Sequence, residues 1–319
     1  MQKYVIEKKD SGQTVIKFLT RLLKDAPQSL LYKQIRKKNI VLNKKKIDGH
    51  EKLSEGDELS IFMSDETIEK FKGAINTDLS EYLKAYDKYK EPDIVYEDEH
   101  IIVLNKPVGV LSQKSKPDDL SANEWLIGFL IKEGSVTAAS LKEFTPSVCN
   151  RLDRNTGGLL LFGKTLFGTS KISLGLKERT IHKYYKTIVT GEITKEEKIS
   201  GYLNKDEKLN KVFISKEKTD DSVYIETSYK PIRFNKDKNI TELEIELITG
   251  KPHQIRAHLA SINHPIIGDT KYGKKDEVSN LNHQLLYAYK VVFPKYDDYP
   301  EISSKTITKS FDDIFNKYF

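Results

Sequence analysis

The chain has 319 residues, 31% charged and 38% hydrophobic, with 53 Lys and Arg against 47 Asp and Glu for a net charge of +6. That length fits two domains at roughly 150 residues each, and a single cysteine, Cys149, excludes an intrachain disulfide and any Cys-x-x-Cys metal site. No apolar run reaches the roughly 18 residues of a membrane-spanning helix, and Met1 to Lys9 has no apolar signal-peptide core, so a reduced cytoplasmic protein is expected.

The N-terminal segment holds the basic excess. Residues 1–63 carry 14 Lys/Arg and 8 Asp/Glu, a balance of +6; residues 64–92 carry 5 and 7, or −2; residues 93–319 carry 34 and 32, or +2. A basic surface concentrated in one small module suits a polyanion such as RNA or DNA. Residues 13–24 read as an amphipathic helix with Val15, Leu19 and Leu22 on one stripe. Pro27 stops it, and Ser29 is placed to cap a second helix over 29–38 that presents Lys33, Arg36 and Lys37 on one face. A strand at Ile40 to Leu42, a basic loop Lys44-Lys45-Lys46, a turn at Asp48-Gly49 and a strand from Glu58 to Phe62 complete the module. Residues 64–92 are polar and weakly periodic, and read as a linker with a short helix near 79–90, closed by Pro92.

From Asp93 onward strands dominate. Ile94 to Tyr96 and Ile101 to Asn105 flank a polar turn as in a hairpin, and Ala122 to Lys132 reads as a helix containing Trp125. Further strands are predicted at Leu159 to Phe162, Tyr185 to Val189, Tyr224 to Tyr229 and Leu243 to Leu247. The last alternates Leu243, Ile245 and Leu247 with Glu242, Glu244 and Glu246 as a half-buried strand should. His253 to Ile262 reads as a helix after Gly250 and Pro252. The fold class is α+β, with a long mixed, largely antiparallel sheet.

The densest chemistry lies at Asn150-Arg151-Leu152-Asp153-Arg154-Asn155-Thr156-Gly157, a turn-prone stretch leading into an apolar strand. It places the carboxylate of Asp153 on a loop beside two arginines, and nearby cations favour the charged form that a nucleophile or general base needs. The stretch resembles the active-site motif of the RluA-type pseudouridine synthases, His-Arg-Leu-Asp-x-x-Thr-Ser-Gly, with Asn150 and Gly157 departing from it. Lys106-Pro107-Val108-Gly109, Lys183-Tyr184-Tyr185, Thr249 to Arg256 (Thr-Gly-Lys-Pro-His-Gln-Ile-Arg) and His264 to Asp269 (His-Pro-Ile-Ile-Gly-Asp) resemble the same family in the same order. The N-terminal module is similar to an S4 RNA-binding domain. The implied organisation is an S4-like domain at 1–63, a linker at 64–92 and a pseudouridine synthase domain at 93–319, with closest similarity to members that modify large-subunit ribosomal RNA.

The resemblance implies isomerisation of uridine in RNA with no cofactor and no metal. It assigns Asp153 as the catalytic carboxylate and Arg256 as its guanidinium partner. Tyr185 becomes the ring that packs on the target base, and Arg151 the side chain that refills the emptied stack. Tyr184, the neighbour of Tyr185, points to the other face of its strand. Lys106 is a candidate phosphate ligand, and Lys33, Arg36, Lys37, Lys44 and Lys45 are candidate contacts to the RNA backbone. His253, His258 and His264 lack single-face ligand spacing and read as hydrogen-bonding residues. Lys251 and Tyr287 are further departures, standing where Arg and His are usual. The alternative is a non-catalytic RNA-binding ribosome assembly factor; a binder has no need of Asp153, Tyr185 and Arg256 together. A monomer is expected.

Overall fold

The computed structural model describes residues 2–72, 78–206, 211–273 and 281–319. The N-terminal unit runs β1 (Gln2–Val5), α1 (Val15–Leu22), α2 (Gln28–Arg36), β2 (Ile40–Leu42), β3 (Glu58–Ile61) and α3 (Asp65–Lys72). Its strands form one antiparallel sheet in the order β1-β3-β2. Val15, Leu19, Leu31, Ile35, Ile40, Leu59 and Ile61 fill the core, so the apolar stripe expected of α1 is the buried one, with Leu23 deeper than Leu22. The predicted Ser29 cap is absent: α2 begins one residue earlier, after Pro27, with no side-chain cap. Pro27 takes the N-cap position, where its fixed φ suits a helix start but its ring offers no acceptor to the first amides.

The predicted linker, 64–92, is largely ordered structure. In α3, Ile68 and Phe71 pack into the N-terminal core. A second helix, α4 (Ser80–Tyr89), belongs instead to the following unit, where Ala85 is buried and the Trp125 indole N–H donates to the Lys90 carbonyl at 2.7 Å. So few apolar anchors in each helix leave no strong periodicity, which is why composition alone suggests a linker. Residues 73–77 of that stretch lie outside the described residues.

The second unit continues through β4 (Ile94–Glu97), β5 (Ile101–Lys106), α5 (Ala122–Lys132), α6 (Ala138–Glu143), β6 (Ser147–Val148), β7 (Gly157–Gly163) and α7 (Leu166–Lys177). Then follow β8 (His182–Thr190), β9 (Glu197–Asp206), β10 (Lys211–Ser215), β11 (Val223–Asn235), β12 (Ile240–Leu247), α8 (Gln254–Ser261), β13 (Leu286–Val292), β14 (Thr306–Thr308) and α9 (Asp312–Phe315). The sheet order is β10-β9-β11-β12-β8-β13-β7-β5-β4, with β14 on β13 and β6 on β7. Only β13 and β7 pair in parallel; the other described pairs are antiparallel, as a mixed, largely antiparallel sheet requires. Helix α5 is apolar almost all round and accordingly buried, and Ser121 caps it by accepting the Asn123 N–H.

Strand β12 departs from simple alternation. Leu243 and Ile245 are buried as expected, but Glu242 is only 2% exposed and is held by the Arg233 guanidinium at 2.6 Å. A buried carboxylate is tolerable when paired in this way. At the centre of the sheet β13 approaches β7 so closely that a Cβ on Gly158 would lie 2.1 Å from the Ala288 carbonyl oxygen. Gly158 also has φ +102°, so glycine is required there twice over. This junction sets the exit of the loop carrying Asp153.

Candidate active site

The Asp153 loop is pinned from below. Ser112 Oγ accepts the Leu152 N–H and donates to the Leu152 carbonyl, both at 2.9 Å. The Thr156 N–H closes a turn on the Asp153 carbonyl at 3.0 Å, and the Gly109 N–H donates to the Arg154 carbonyl at 2.9 Å. Lys106 completes the fixation. Its Nζ donates to the carbonyls of Pro107, Val110 and Arg154 at 3.0, 2.8 and 3.2 Å. The side chain is 0% exposed, and burial pushes its pKa down to about 7 against the pull of the Asp153 charge. The phosphate contact expected of Lys106 is therefore corrected: all three donor positions are spent on backbone, and no phosphate can reach a sealed amine.

On the opposite wall, α8 delivers Arg256. The loop before it is locked by Gln254, which is 2% exposed. Gln254 Oε1 accepts from Thr249 Oγ1 and the Lys251 N–H, while its Nε2 donates to the Glu226 carbonyl and Thr227 Oγ1, all between 2.8 and 3.1 Å. With Ile255 and Leu259 in the core, Arg256 is turned towards the Asp153 loop. Its Nη1 donates to Asp153 Oδ2 at 3.1 Å. Its other edge forms the two-pronged bond, with Nε to Asp269 Oδ2 at 2.7 Å and Nη2 to Asp269 Oδ1 at 2.9 Å.

The bidentate partner of Arg256 is thus Asp269, and Asp153 takes the remaining donor. Burial alone would raise the Asp269 pKa, but the Arg256 fork and the amides of Lys271 and Tyr272 outweigh it and hold the carboxyl below its usual range. In the sequence Asp269 closes a motif without any evident role of its own. Nothing in the sequence marks it: the need arises because Arg256 is buried, and a buried arginine requires an acid to neutralise it. Asp153 itself is 25% exposed at the side chain against 9% for Arg256, so the carboxylate faces open space while its partner does not.

Asp153, Arg256 and Tyr185 converge on one cleft, with Arg151, Lys251 and His253 at its edge and Leu247, Ile255 and Leu286 as apolar wall. The cleft is open to solvent and has a cavity volume of about 50 Å³. Tyr185 is 4% exposed, and burial, aided by the Asp153 charge, raises its phenol pKa. Tyr184 lies on the other face of β8, with the Lys290 ammonium 4.0 Å from its ring centroid. Arg151 is exposed and makes no ion pair among the described residues. The five N-terminal cations, Lys33, Arg36, Lys37, Lys44 and Lys45, are all exposed and lie on the other unit, away from this cleft. Each of the three histidines has a hydrogen-bond partner: Tyr272 Oη for His253, Thr227 Oγ1 for His258 and the Thr190 carbonyl for His264.

The motif departures have local explanations. Asn150 Oδ1 accepts the Leu161 N–H at 2.8 Å, so it braces β7 and takes no place in the cleft. Gly157 and Tyr287 belong together: a Cβ on Gly157 would lie 2.5 Å from Tyr287 Cε1. The large ring at 287, packed on Phe311 at 4.6 Å, occupies the space that a side chain at 157 would need.

A family model described as RNA pseudouridylate synthase matches residues 100–261. The chain is 30% identical over 300 residues to the ribosomal large subunit pseudouridine synthase C of Vibrio vulnificus, covering 90% of this chain and 87% of that protein. It is 29% identical over 300 residues to an uncharacterized RNA pseudouridine synthase of Mycoplasma capricolum, covering 92% of each. Among solved structures, human RNA pseudouridylate synthase domain containing 4 shares the fold with a TM-score of 0.55 at 17% identity, over 74% of this chain and 94% of that one. The chain belongs to the RNA pseudouridylate synthase family, in its RluA-type branch, and is an enzyme that isomerises uridine to pseudouridine in RNA.

Proposed function

We propose that the substrate is large-subunit ribosomal RNA, that Asp153, Arg256 and Tyr185 form the active site, and that the basic N-terminal unit is an S4-like RNA-backbone clamp. The reaction breaks the C1′–N1 bond of uridine, turns the base, joins C5 to C1′, releases the C5 hydrogen and leaves a proton on N1, so substrate and product are isomers. The base must first leave its stack, at a cost of a few kcal/mol. Arg151, exposed at the cleft and without an ion pair among the described residues, would fill the gap. A carboxylate can act by attacking the ribose or by removing a ribose proton, and both routes need one ionised oxygen held beside the sugar. The observation that carries this reading is the relay Asp269–Arg256–Asp153. The buried acid orients the guanidinium through two bonds, and the guanidinium presents its last donor to the half-open carboxylate. The flipped base then lies on Tyr185 against Leu247, Ile255 and Leu286.

Lys33 and Arg36 on α2, Lys37 at its C-cap, and Lys44 and Lys45 in the loop after β2 leave their charge facing solvent, as contacts that track phosphates without reading bases require. The nearly complete coverage by a relative whose name specifies the large ribosomal subunit supports that choice of RNA. The test is to treat transcribed large-subunit ribosomal RNA with the protein, label pseudouridine chemically and map reverse-transcription stops. Stops that depend on Asp153 support the assignment; a folded, RNA-binding protein that leaves no stops in this RNA overturns the substrate.

A further inference from the structure

Of the described residues lining the cleft, His253 alone has a left-handed backbone, φ 54° and ψ 13°. Side chains other than glycine enter this region at a cost, and such residues collect where a ligand is held. The turn sets the imidazole edge-on to Tyr272, with centroids 5.6 Å apart and Nδ1 2.8 Å from Tyr272 Oη. That oxygen also lies 3.0 Å from the backbone nitrogen of Val212, whose N–H can only donate. The phenol accepts from the amide at one lone pair, and its single proton can be given to Nδ1. A neutral imidazole that accepts at Nδ1 carries its hydrogen on Nε2.

The surroundings keep the ring neutral. Burial lowers the His253 pKa, and Arg256 and Lys271 lower it further against the opposing charges of Asp153 and Asp269. Nε2 has no partner among the described residues and is not sealed from solvent. The other polar groups of the cleft suit other parts of a nucleotide. Asp153 serves the ribose, and the cations Arg151 and Lys251 at the edge suit phosphate or stacking. A uracil lying on the apolar wall brings carbonyl oxygens that need donors, and beside the Thr156 hydroxyl the Nε2 edge of His253 is a polar group of this cleft not yet given a partner.

We propose that His253 is a base-binding residue whose Nε2–H donates to a carbonyl oxygen of the flipped uracil, with Tyr272, held by the Val212 amide, setting the tautomer. The inference rests on Asp153 and Arg256 being the active site. Two substitutions separate the donor from the backbone. Asn enters the left-handed region readily, but its amide stops at the reach of Nδ1. Gln is less at ease there, but its amide nitrogen reaches the position of Nε2. With large-subunit ribosomal RNA transcribed from C5-tritiated uridine, release of tritium to water reports turnover. His253→Asn should lower kcat/KM about tenfold, the scale of one missing hydrogen bond, and His253→Gln only about threefold. Tyr272→Phe should fall between them. An Asn variant as active as wild type, or more active than the Gln variant, overturns the donor role, because the backbone and not the ring would then be what matters. A Tyr272→Phe loss larger than that of His253→Asn overturns the relay. Asp153→Asn is run alongside: turnover that survives there defeats the active-site reading, whereas a dead Asp153→Asn with full activity in His253→Asn defeats this inference alone.

Discussion

The cations of the two units are arranged in opposite ways. In the N-terminal unit Lys33, Arg36, Lys37, Lys44 and Lys45 are exposed, on one helix and its C-cap and in the loop after the next strand. Around the cleft Arg256 and Lys106 are buried, with Arg256 on two carboxylates and Lys106 on three carbonyls. Exposed charge acts at a distance, is screened by salt and tolerates movement. Buried charge must be matched atom by atom, and it holds geometry. The first arrangement suits gathering a polyanion and the second suits holding one oxygen in place, so the two units should respond to mutation and to salt in different ways.

The largest effect should come from Asp153→Asn. Turnover in the tritium-release assay should fall by on the order of 10⁴-fold or more, with RNA affinity and melting temperature little changed, since the amide keeps the shape and loses the ionised oxygen. Asp269→Asn tests the buried arrangement. Removing one partner of a buried pair costs about 3–5 kcal/mol, read as a drop in urea midpoint, and the loosened Arg256 should lower activity too. The sign with pH is fixed by the depressed Asp269 pKa. Its contribution is complete above the unfolded carboxyl value of 3.8 and is lost as pH falls through the lower folded value. The gap between wild type and Asp269→Asn should therefore narrow in acid; a gap that stays constant from neutral pH down through that carboxyl range would show that the pair does not carry the stability.

Gly157→Ser should cost about 1–3 kcal/mol by overpacking against Tyr287. Tyr287→His in the same chain should recover part of it, and a double-mutant cycle with no coupling between the two positions would refute their linkage. The smallest effect belongs to the exposed cations. Changing Lys33, Arg36 and Lys37 together to Gln should raise KM for RNA at unchanged kcat. It should also flatten the plot of log affinity against log salt by about 0.7 for each phosphate that is no longer neutralised. A fall in kcat, or an unchanged slope, would remove the N-terminal unit from RNA binding.

Much of the candidate site could be read from short motifs because they resemble those of a known family in the same order along the chain. Asp153 beside arginines, Arg256 after a Gly-x-Pro turn and Tyr185 on an alternating strand meet in the same cleft. Lys106 misled, since a lysine before Pro-x-Gly looks the same whether its amine meets a phosphate or three carbonyls. In the stretch 64–92 the short helix expected near 79–90 is α4, whereas α3 went unread, because whether Ile68 and Phe71 are anchors depends on the surfaces they meet.

The chain's own pattern determined its element types, the α+β class, the placement of basic charge and the position of the candidate carboxylate. Those follow from periodicity and side-chain chemistry, which are local. Tertiary structure alone decided that Asp269 and not Asp153 takes the fork of Arg256, that Lys106 is sealed, that Tyr287 fills the space over Gly157, and that Tyr272 joins the Val212 amide to the His253 ring. Most of these join residues well apart in the chain, by hydrogen bonds of about 3 Å or, for Tyr287 and Gly157, by a steric contact, and no spacing along the chain encodes them.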